Sequence, residues 1–266
     1  MEITGKKVLL TGATGGIGRS IAATLARAGA ELVVSGRSAE ALQGLVNDLP
    51  GSGHQSIASD LGQPGAALNL AAESGPVDIL VANAALPSTG RITELTDEQV
   101  ARMLRINLES PILLAQALLP GMLERNRGRL IMIGSLAGKA GSPRSSIYNA
   151  TKFGLRGFVF GLAADLSASA VRATLVAPGF VREAGMFADS GADAPAGLGT
   201  TTPEKVAAAV LKAVDSNRVE IAVAPLVQRT MAHVGLISPH ISHRVQSGPA
   251  GQNAADSLAR GQTDKR

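Results

Sequence analysis

The sequence predicts an α/β protein that folds as a single domain around one doubly wound parallel sheet. Short β runs alternate with amphipathic helices along nearly all of the 266 residues, and repeated strand–helix units favour parallel strands joined by right-handed crossovers. The run Val77–Ala82 is continuously apolar, as expected of a strand buried on both faces. No repeat or second core is visible, so we expect one domain over residues 1–246 and a flexible tail over residues 247–266.

The individual elements are predicted from the spacing of apolar residues and from turn and capping signals. The strands are predicted at Lys6–Leu10, Glu31–Ser35, Ser56–Ser59, Val77–Ala82, Arg129–Gly134, Val171–Ala177 and Val219–Val223. The helices are predicted at Ile17–Ala28, Ala39–Leu49, Pro64–Ser74, Asp97–Arg125, Ser146–Ser167 and Pro203–Val214. Residues 180–202 lack periodicity and are rich in Gly, Ala, Asp and Thr, which predicts a mobile loop near the substrate.

The composition excludes several functional classes. Cysteine is absent, which excludes disulfides, thiolate metal sites and a cysteine nucleophile. The net charge of +4 comes with only 2% aromatic residues, whereas nucleic-acid binders combine basic stripes with stacking aromatics. We therefore expect the excess charge to serve solubility and the binding of an anionic cofactor.

The N-terminal region superficially resembles a secretion signal between Lys6 and Ala30. Four glycines and Arg19 interrupt that stretch, so it is better explained as a turn between a strand and a helix. No window offers the roughly 18 uninterrupted apolar residues that a membrane span needs. We therefore expect a cytoplasmic protein without a membrane span.

A glycine-rich turn, Thr11–Gly18, separates the first predicted strand from the first predicted helix. Glycine lets the backbone turn sharply and approach a pyrophosphate, while the helix N-terminus offers N–H groups to it. Tight turns also use glycine for steric reasons alone, but this placement favours a Rossmann-type nucleotide site. The candidate cofactor-binding residues of the turn are Gly12, Thr14, Gly16, Ile17 and Gly18.

Arg37 stands just after the second predicted strand, which ends in Ser35-Gly36. In dinucleotide-binding folds an acidic residue at about this place binds the 2′-hydroxyl of NAD, whereas an arginine accommodates the 2′-phosphate of NADP. The alternative is that Arg37 is a solvated loop charge. We predict NADP(H) as the cofactor.

Tyr148 is the only tyrosine, and Lys152 follows it by four positions in a predicted helix. That spacing places both side chains on one face, and an ammonium group beside a phenol stabilises the phenolate and lowers the pKa. Ser135 follows the preceding strand at the edge where open α/β sheets bind ligands. Each residue also has a structural explanation, namely ring packing or the end of a strand, but their joint occurrence favours an acid/base site.

The chain resembles the single-domain branch of the short-chain dehydrogenase/reductase family over approximately residues 4–223. The resemblance rests on motifs that occur in the family's order. They are the Thr11–Gly18 turn, Asp60, Asn83-Ala84, Asn107, Ser135, Tyr148-x-x-x-Lys152 and Pro178-Gly179. Singly none of these motifs is specific, but together they are.

The resemblance implies a proton relay. Tyr148 would exchange the proton of the substrate oxygen, and Ser135 would hold that oxygen by a hydrogen bond. Lys152 would lower the pKa of Tyr148 and bind the nicotinamide ribose. Asn107, inside the long helix, would anchor through its backbone a water that extends the relay.

The resemblance also implies cofactor contacts outside the glycine-rich turn. Asp60 would contact the adenine through its side chain, Asn83 would line the cofactor cleft, and Pro178-Gly179 would lie beside the cofactor. The chain departs from the family's pattern at Ala85, where a glycine is usual, and at Glu183, where many members carry a threonine that contacts the nicotinamide amide.

The C-terminal segment Pro225–Gln246 contains three of the four histidines, two arginines and no acidic residue. The histidine spacing does not fit a helical metal pair, so no metal site is predicted. A basic, apolar helix could close the substrate pocket, contact another subunit or rest on a membrane surface. For assembly, the family pairs the helices Asp97–Arg125 and Ser146–Ser167 across a two-fold axis, which predicts a homodimer or homotetramer.

The sequence thus predicts an oxidoreductase that transfers a hydride between NADP(H) and a carbonyl or alcohol. Apolar residues around the 180–202 loop, such as Phe180 and Phe187, indicate a hydrophobic substrate, and a 3-oxoacyl-type reductase is a narrower version of this function. Two alternatives are a nucleotide-sugar epimerase or dehydratase, which usually needs a larger C-terminal region, and a non-enzymatic NADP(H) sensor or scaffold on the same fold.

Overall fold

A computed structural model describes residues 1–87, 90–188, 191 and 197–248, together with Gln252, Ala255, Asp256 and Ala259. These residues contain a seven-stranded sheet in which all pairings are parallel, in the order β3-β2-β1-β4-β5-β6-β7. The strands are β1 Lys7–Thr11, β2 Glu31–Gly36, β3 Gln55–Ala58, β4 Ile79–Ala82, β5 Arg129–Ile133, β6 Arg172–Pro178 and β7 Glu220–Val223. The predicted doubly wound, Rossmann-type fold is confirmed.

The helices lie close to the predicted positions, with most boundaries shifted by one or two residues. They are α1 Gly16–Arg27, α2 Ala39–Asp48, α3 Ala66–Ser74, α4 Asp97–Leu104, α5 Ser110–Glu124, α6 Ser146–Asp165, α7 Pro203–Asp215, α8 Leu226–Ile237 and α9 Pro239–Ser247. The predicted helix Asp97–Arg125 is not regular throughout, because a π-helical segment, Arg105–Glu109, joins α4 to α5. The basic C-terminal helix is divided in two by Pro239, which occupies the first turn of α9. Most of the predicted tail lies outside the described residues.

The sheet separates two hydrophobic clusters. Because successive side chains of a strand point to opposite faces, Val8 and Leu10 of β1 pack into the cluster under α1, α2 and α7, whereas Leu9 packs into the cluster under α3, α5 and α6. Burial on both faces explains why the central strands are continuously apolar.

The stretch Asp97–Glu124 is long and apolar enough, by length and composition alone, to cross a membrane. Such a stretch is weak support for a membrane span, because core helices of soluble proteins meet the same criteria. Here α5 packs against α3, and α4 packs against α6. Most buried apolar side chains of this stretch belong to the hydrophobic cluster on one face of the sheet.

The strand order places a topological switch point at the carboxyl edge of the sheet. Strand β1 lies between β2 and β4, so the chain leaves the neighbouring strands β1 and β4 toward opposite sides, and open α/β sheets bind ligands at such a point. The segments that follow β1, β4, β5 and β6 begin at Gly12, Asn83, Gly134 and Gly179. Most of the predicted site residues are therefore gathered at one edge.

Candidate active site

The glycine-rich turn is compact because neighbouring backbone fills the space where side chains would stand. Gly12 has a φ of +63°, and a Cβ there would lie 2.8 Å from the Cα of Ala84. A Cβ on Gly18 would collide with the carbonyl oxygen of Gly12. No side chain caps the N-terminus of α1, which begins at Gly16. The first backbone N–H groups of this helix are therefore left without a side-chain cap, and such N–H groups can bind an anion.

Asn83 supports the turn from the end of β4. Its Nδ2 donates to the carbonyl oxygens of Thr11 and Gly12, both at 3.1 Å, and its backbone N–H donates to Oγ1 of Thr11. The Ala84 N–H donates to the same hydroxyl at 3.1 Å. Asn83 thus fixes the shape of the glycine-rich turn, and its contact with a cofactor stays a prediction.

Arg37 is exposed at the end of β2 and forms no ion pair with any residue that the structure describes. The neighbouring Ser38 is committed to α2, where its Oγ accepts a hydrogen bond from the Ala41 N–H at 3.2 Å. The side chain of Thr14 lies against Gly36, with Oγ1 at 3.3 Å from the Cβ position of that glycine. Arg37 is therefore available to a phosphate beside the turn.

Asp60 carries an ion pair that the sequence did not predict. Both carboxylate oxygens accept from Arg102 of α4 at 3.1 Å, and Oδ1 also accepts from the Gly62 N–H at 3.0 Å. Partial burial acts to raise the pKa of Asp60, but the bonds from Gly62 and Arg102 outweigh it and hold that pKa below its usual value. An adenine contact through this carboxylate, which remains a prediction, would have to share it with Arg102.

Ser135 and Tyr148 come together at the carboxyl edge of β5. Ser135 begins a short 3-10 turn, Leu136–Gly138, and its Oγ accepts from the Ala137 N–H at 3.1 Å. A hydrogen bond from Ser135 lowers the pKa of Tyr148, but burial of the phenol raises it by more. The net pKa of Tyr148 lies above its ordinary value of 10.0, so the lowering expected from the sequence is wrong for the protein's own groups.

Lys152 is 3% exposed, and its Nζ donates to the carbonyl oxygen of Ile133 at 3.0 Å. The same nitrogen lies 5.6 Å from the centre of the Tyr148 ring. Burial without a carboxylate partner lowers the pKa of Lys152 to about 8. The helical spacing correctly placed the two side chains together, but a lysine whose own charge is disfavoured stabilises a phenolate less than a free ammonium does.

Asn107 lies in the π-helical segment and is 1% exposed. Its side chain pairs with the backbone of Leu86, accepting from the N–H at 2.7 Å and donating to the carbonyl at 2.9 Å. The α-helical donor to the Asn107 carbonyl would be residue 111, which is Pro111 and has no N–H. That carbonyl therefore lacks its α-helical donor, and its role as a water anchor stays a prediction.

The loop after β6 lies against the glycine-rich turn. A Cβ on Gly16 would collide with the Cβ of Ala184, and a Cβ on Gly185 would lie 3.1 Å from Cδ1 of Ile17. Glu183 has a φ of +72°, and its exposed carboxylate pairs with Arg182 at 2.7 Å. The predicted cofactor residues Gly16 and Ile17 thus also contact Ala184 and Gly185 of the predicted substrate loop, residues 180–202.

Comparison with known proteins identifies the family to which the chain belongs. The family model described as short chain dehydrogenase matches residues 6–195. The chain belongs to the short-chain dehydrogenase/reductase family. Its relationship to this family covers the turn, the π-helical segment, Ser135, Tyr148 and Lys152 alike.

Individual members of the short-chain dehydrogenase/reductase family resemble the chain over most of its length. The "Ketoacyl reductase HetN" of Nostoc sp. strain PCC 7120 is 35% identical over 254 residues, which are 91% of this chain and 88% of that protein. A solved short chain dehydrogenase/reductase family protein has a TM-score of 0.77 at 32% identity and covers 84% of this chain and 97% of its own. A serine dehydrogenase in its closed form with NADP+ has a TM-score of 0.74 at 31% identity, with coverage of 83% and 95%.

The chain is accordingly an NAD(P)-dependent oxidoreductase, and the sensor or scaffold alternative is not favoured. The sequence did not predict three contacts made by residues in or next to the candidate site in the chain. Arg102 binds Asp60, and Asn149 donates to the Ser142 carbonyl at 3.3 Å. The buried Lys139, which lies between Ser135 and Tyr148 in the sequence, pairs with Glu220 at 2.8 Å. These partners are distant in sequence or lie in loops, where periodicity carries no signal.

Among the described residues, no three His, Cys, Asp or Glu side chains cluster as metal ligands. The three histidines of the C-terminal segment lie on exposed positions of α8 and α9. His233 hydrogen-bonds the Arg229 carbonyl of its own helix at 2.6 Å.

Proposed function

We propose that the protein is an NADP(H)-dependent reductase of hydrophobic carbonyl compounds. The observation that carries the proposal is the group formed by Ser135, Tyr148 and Lys152 at the carboxyl edge of the sheet. A hydroxyl and a phenol joined by a hydrogen bond can hold a carbonyl oxygen and protonate it. The bound nicotinamide would supply the hydride.

The residues of the chain fit this cofactor. The turn around Gly12 and the uncapped start of α1 would hold the pyrophosphate, and Asn83 would keep the turn in shape. Arg37 would bind the 2′-phosphate, and support for NADP comes from relatives whose structures contain it. Pro178 ends β6 at the same edge and Gly179 follows it, and Lys152 would reach the nicotinamide ribose.

In the proposed reduction, Tyr148 donates its phenolic proton to the substrate oxygen while Ser135 hydrogen-bonds that oxygen. The raised pKa of Tyr148 suits this direction, because the phenol stays protonated at neutral pH. Lys152 and a water on the Asn107 carbonyl would then return a proton to Tyr148. The lowered pKa of Lys152 favours such a transfer, since its proton leaves near neutral pH.

The substrate class is proposed from the loop. Phe180 and Phe187 pack together in the loop after β6, with their ring centres 4.8 Å apart. The relative HetN is called a ketoacyl reductase, so a 3-oxoacyl thioester is the first compound to test. Oxidation of NADPH would be followed with acetoacetyl-CoA, aromatic ketones and small polar ketones, and the same panel would be repeated with NADH.

The expected result is turnover of apolar ketones or the thioester with NADPH, and its loss in the Tyr148→Phe variant. If the protein binds NADPH but reduces no carbonyl in the panel and oxidises none of the matching alcohols, the proposal is wrong. A preference for NADH over NADPH would remove the part that rests on Arg37.

For assembly, we propose a homo-oligomer formed through α4, α5 and α6. Each of these helices exposes a large apolar side chain, namely Leu104, Leu123 and Phe153. Sedimentation at micromolar concentration tests this assembly, and a monomer there would contradict it. A cytoplasmic location is also proposed, and fractionation of cells that express the protein would check it.

A further inference from the structure

Helix α8 turns one narrow face inward. Its buried residues are Gln228, Ala232 and Gly235, which recur at helical spacing, while the rest of the helix faces outward. Two of the three are small and let the helix approach the protein closely. The third, Gln228, is a polar side chain with an exposure of 6%, and a buried amide needs hydrogen-bond partners.

The amide of Gln228 finds those partners at both ends of the substrate loop. Its Oε1 accepts from the Phe180 N–H at 3.2 Å, at the point where the loop leaves β6. Its Nε2 donates to the carbonyl oxygens of Leu198 and Gly199 at 3.2 and 2.7 Å, where the loop returns. One side chain thus joins two segments that are separated by the whole loop.

Gly179 makes this approach possible. A Cβ on Gly179 would collide with Oε1 of Gln228, so the glycine that follows Pro178 leaves room for the amide. Backbone hydrogen bonds also join the two ends of the loop, which together form its neck. The Thr201 N–H donates to the Phe180 carbonyl at 2.8 Å, and the Arg182 N–H donates to the Thr201 carbonyl at 3.0 Å. The Gln228 amide and the backbone bridge therefore hold the same two ends of the loop together.

We propose that Gln228 is a positioning residue for the substrate loop, holding both of its ends so that Phe180 stays at the carboxyl end of β6. This inference rests on the proposed function for its catalytic meaning. The role needs a group that accepts and donates at once. Glutamate would keep the acceptor but place a carboxylate against two carbonyl oxygens, and methionine would keep the shape without any hydrogen bond.

The test uses the full-length protein and the variants Gln228→Met and Gln228→Glu. Arg182 is exposed and is the only Lys or Arg between residues 180 and 204, so trypsin reports on the loop at a single place. Cleavage after Arg182 would be compared with cleavage after Arg37, which is also exposed. Thr230→Ala, on the outer side of the same helix, is the matched control.

With these hydrogen bonds lost, cleavage after Arg182 relative to Arg37 should rise about ten-fold or more in both Gln228→Met and Gln228→Glu. The KM for the carbonyl substrate should rise more than kcat falls, and Thr230→Ala should leave both readouts unchanged. A purely structural role would instead accelerate cleavage at all sites together. An unchanged cleavage ratio in a folded Gln228→Met protein overturns the proposal.

If Gln228→Met does not fold, Gln228→Asn replaces it in the test. Its amide is too short to reach both ends of the loop, so cleavage after Arg182 should rise selectively, but by less. An unchanged cleavage ratio in Gln228→Asn equally overturns the proposal. Should the wild-type protein reduce no carbonyl at all, the proposed function fails, while the tryptic comparison still decides the role of Gln228.

Discussion

Lys152 donates its ammonium hydrogen bond to the carbonyl oxygen of Ile133, the last residue of β5, at 3.0 Å. This bond ties the lysine to the strand that leads into Ser135. The lysine is thereby held in a buried position where its charge is disfavoured, with a pKa of about 8. The position that suits proton transfer is therefore one that costs stability.

The first prediction concerns this cost. Because the pKa of Lys152 is lower in the folded protein than its ordinary 10.5, the unfolded chain binds more protons between about pH 8 and pH 10.5. The contribution of Lys152 to the free energy of unfolding should therefore rise with pH across that window, by roughly 3 kcal/mol. Lys152→Met should remove this rise, as measured by urea unfolding at several pH values. Lys205→Met on the exposed side of α7 is the control, and equal pH dependence in wild type and Lys152→Met would contradict the argument.

The second prediction concerns the proton donor. Tyr148→Phe keeps the ring and removes the hydroxyl, so folding and NADP(H) binding should stay nearly intact. Reduction of the carbonyl substrate should fall by the roughly 10²–10⁴-fold that general acid catalysis contributes. Steady-state rates and NADPH titration measure the two effects separately. Near wild-type turnover in this variant would contradict the assignment of Tyr148 as the proton donor.

The third prediction uses the fact that the chain has one tyrosine and no tryptophan. Ultraviolet absorbance of phenolate therefore reports Tyr148 alone. In the protein without cofactor, its titration should lie above pH 10, because burial outweighs the hydrogen bond from Ser135. Ser135→Ala should move the titration higher still, since it removes the group that lowers the pKa. A midpoint below 10 in the wild type would show that Lys152 dominates after all.

The fourth prediction concerns cofactor choice. A guanidinium that grips a phosphate by charge-assisted hydrogen bonds contributes about 1.5–3 kcal/mol. Arg37→Asp should therefore weaken NADPH binding by about ten-fold or more and shift preference toward NADH, which fluorescence titration with both cofactors would measure. Arg229→Asp, an exposed position on α8, controls for net charge. Equal loss in both variants would mean that only the overall charge matters.

The architecture was largely predictable from the sequence. Buried parallel strands such as β4 are continuous apolar runs, and the glycines of the Thr11–Gly18 turn mark where a strand passes into a helix. The spacing of Tyr148 and Lys152 correctly predicted their proximity. These features are local, so each can be recognised without knowledge of the rest of the fold.

What could not be predicted depends on long-range packing. The π-helical segment leaves the apolar periodicity of the long helix intact, and Pro111 was its only local signal. The pKa of Tyr148 is set by burial and by Ser135, which helical spacing does not reveal. Gln228 looked like any polar residue of an exposed helix, because its partners lie about 30 and 48 positions away.

The strand order has a consequence for how the chain reaches this structure. Strands β1 and β4 lie side by side at the centre of the sheet, although three helices and two strands separate them in the chain. Since every pairing among the described strands is parallel, none forms as a local hairpin, and contacts between distant segments make folding slow. During synthesis one edge of the apolar strand β1 stays unpaired until β4 has left the ribosome. The nascent chain is therefore most prone to aggregate in that interval.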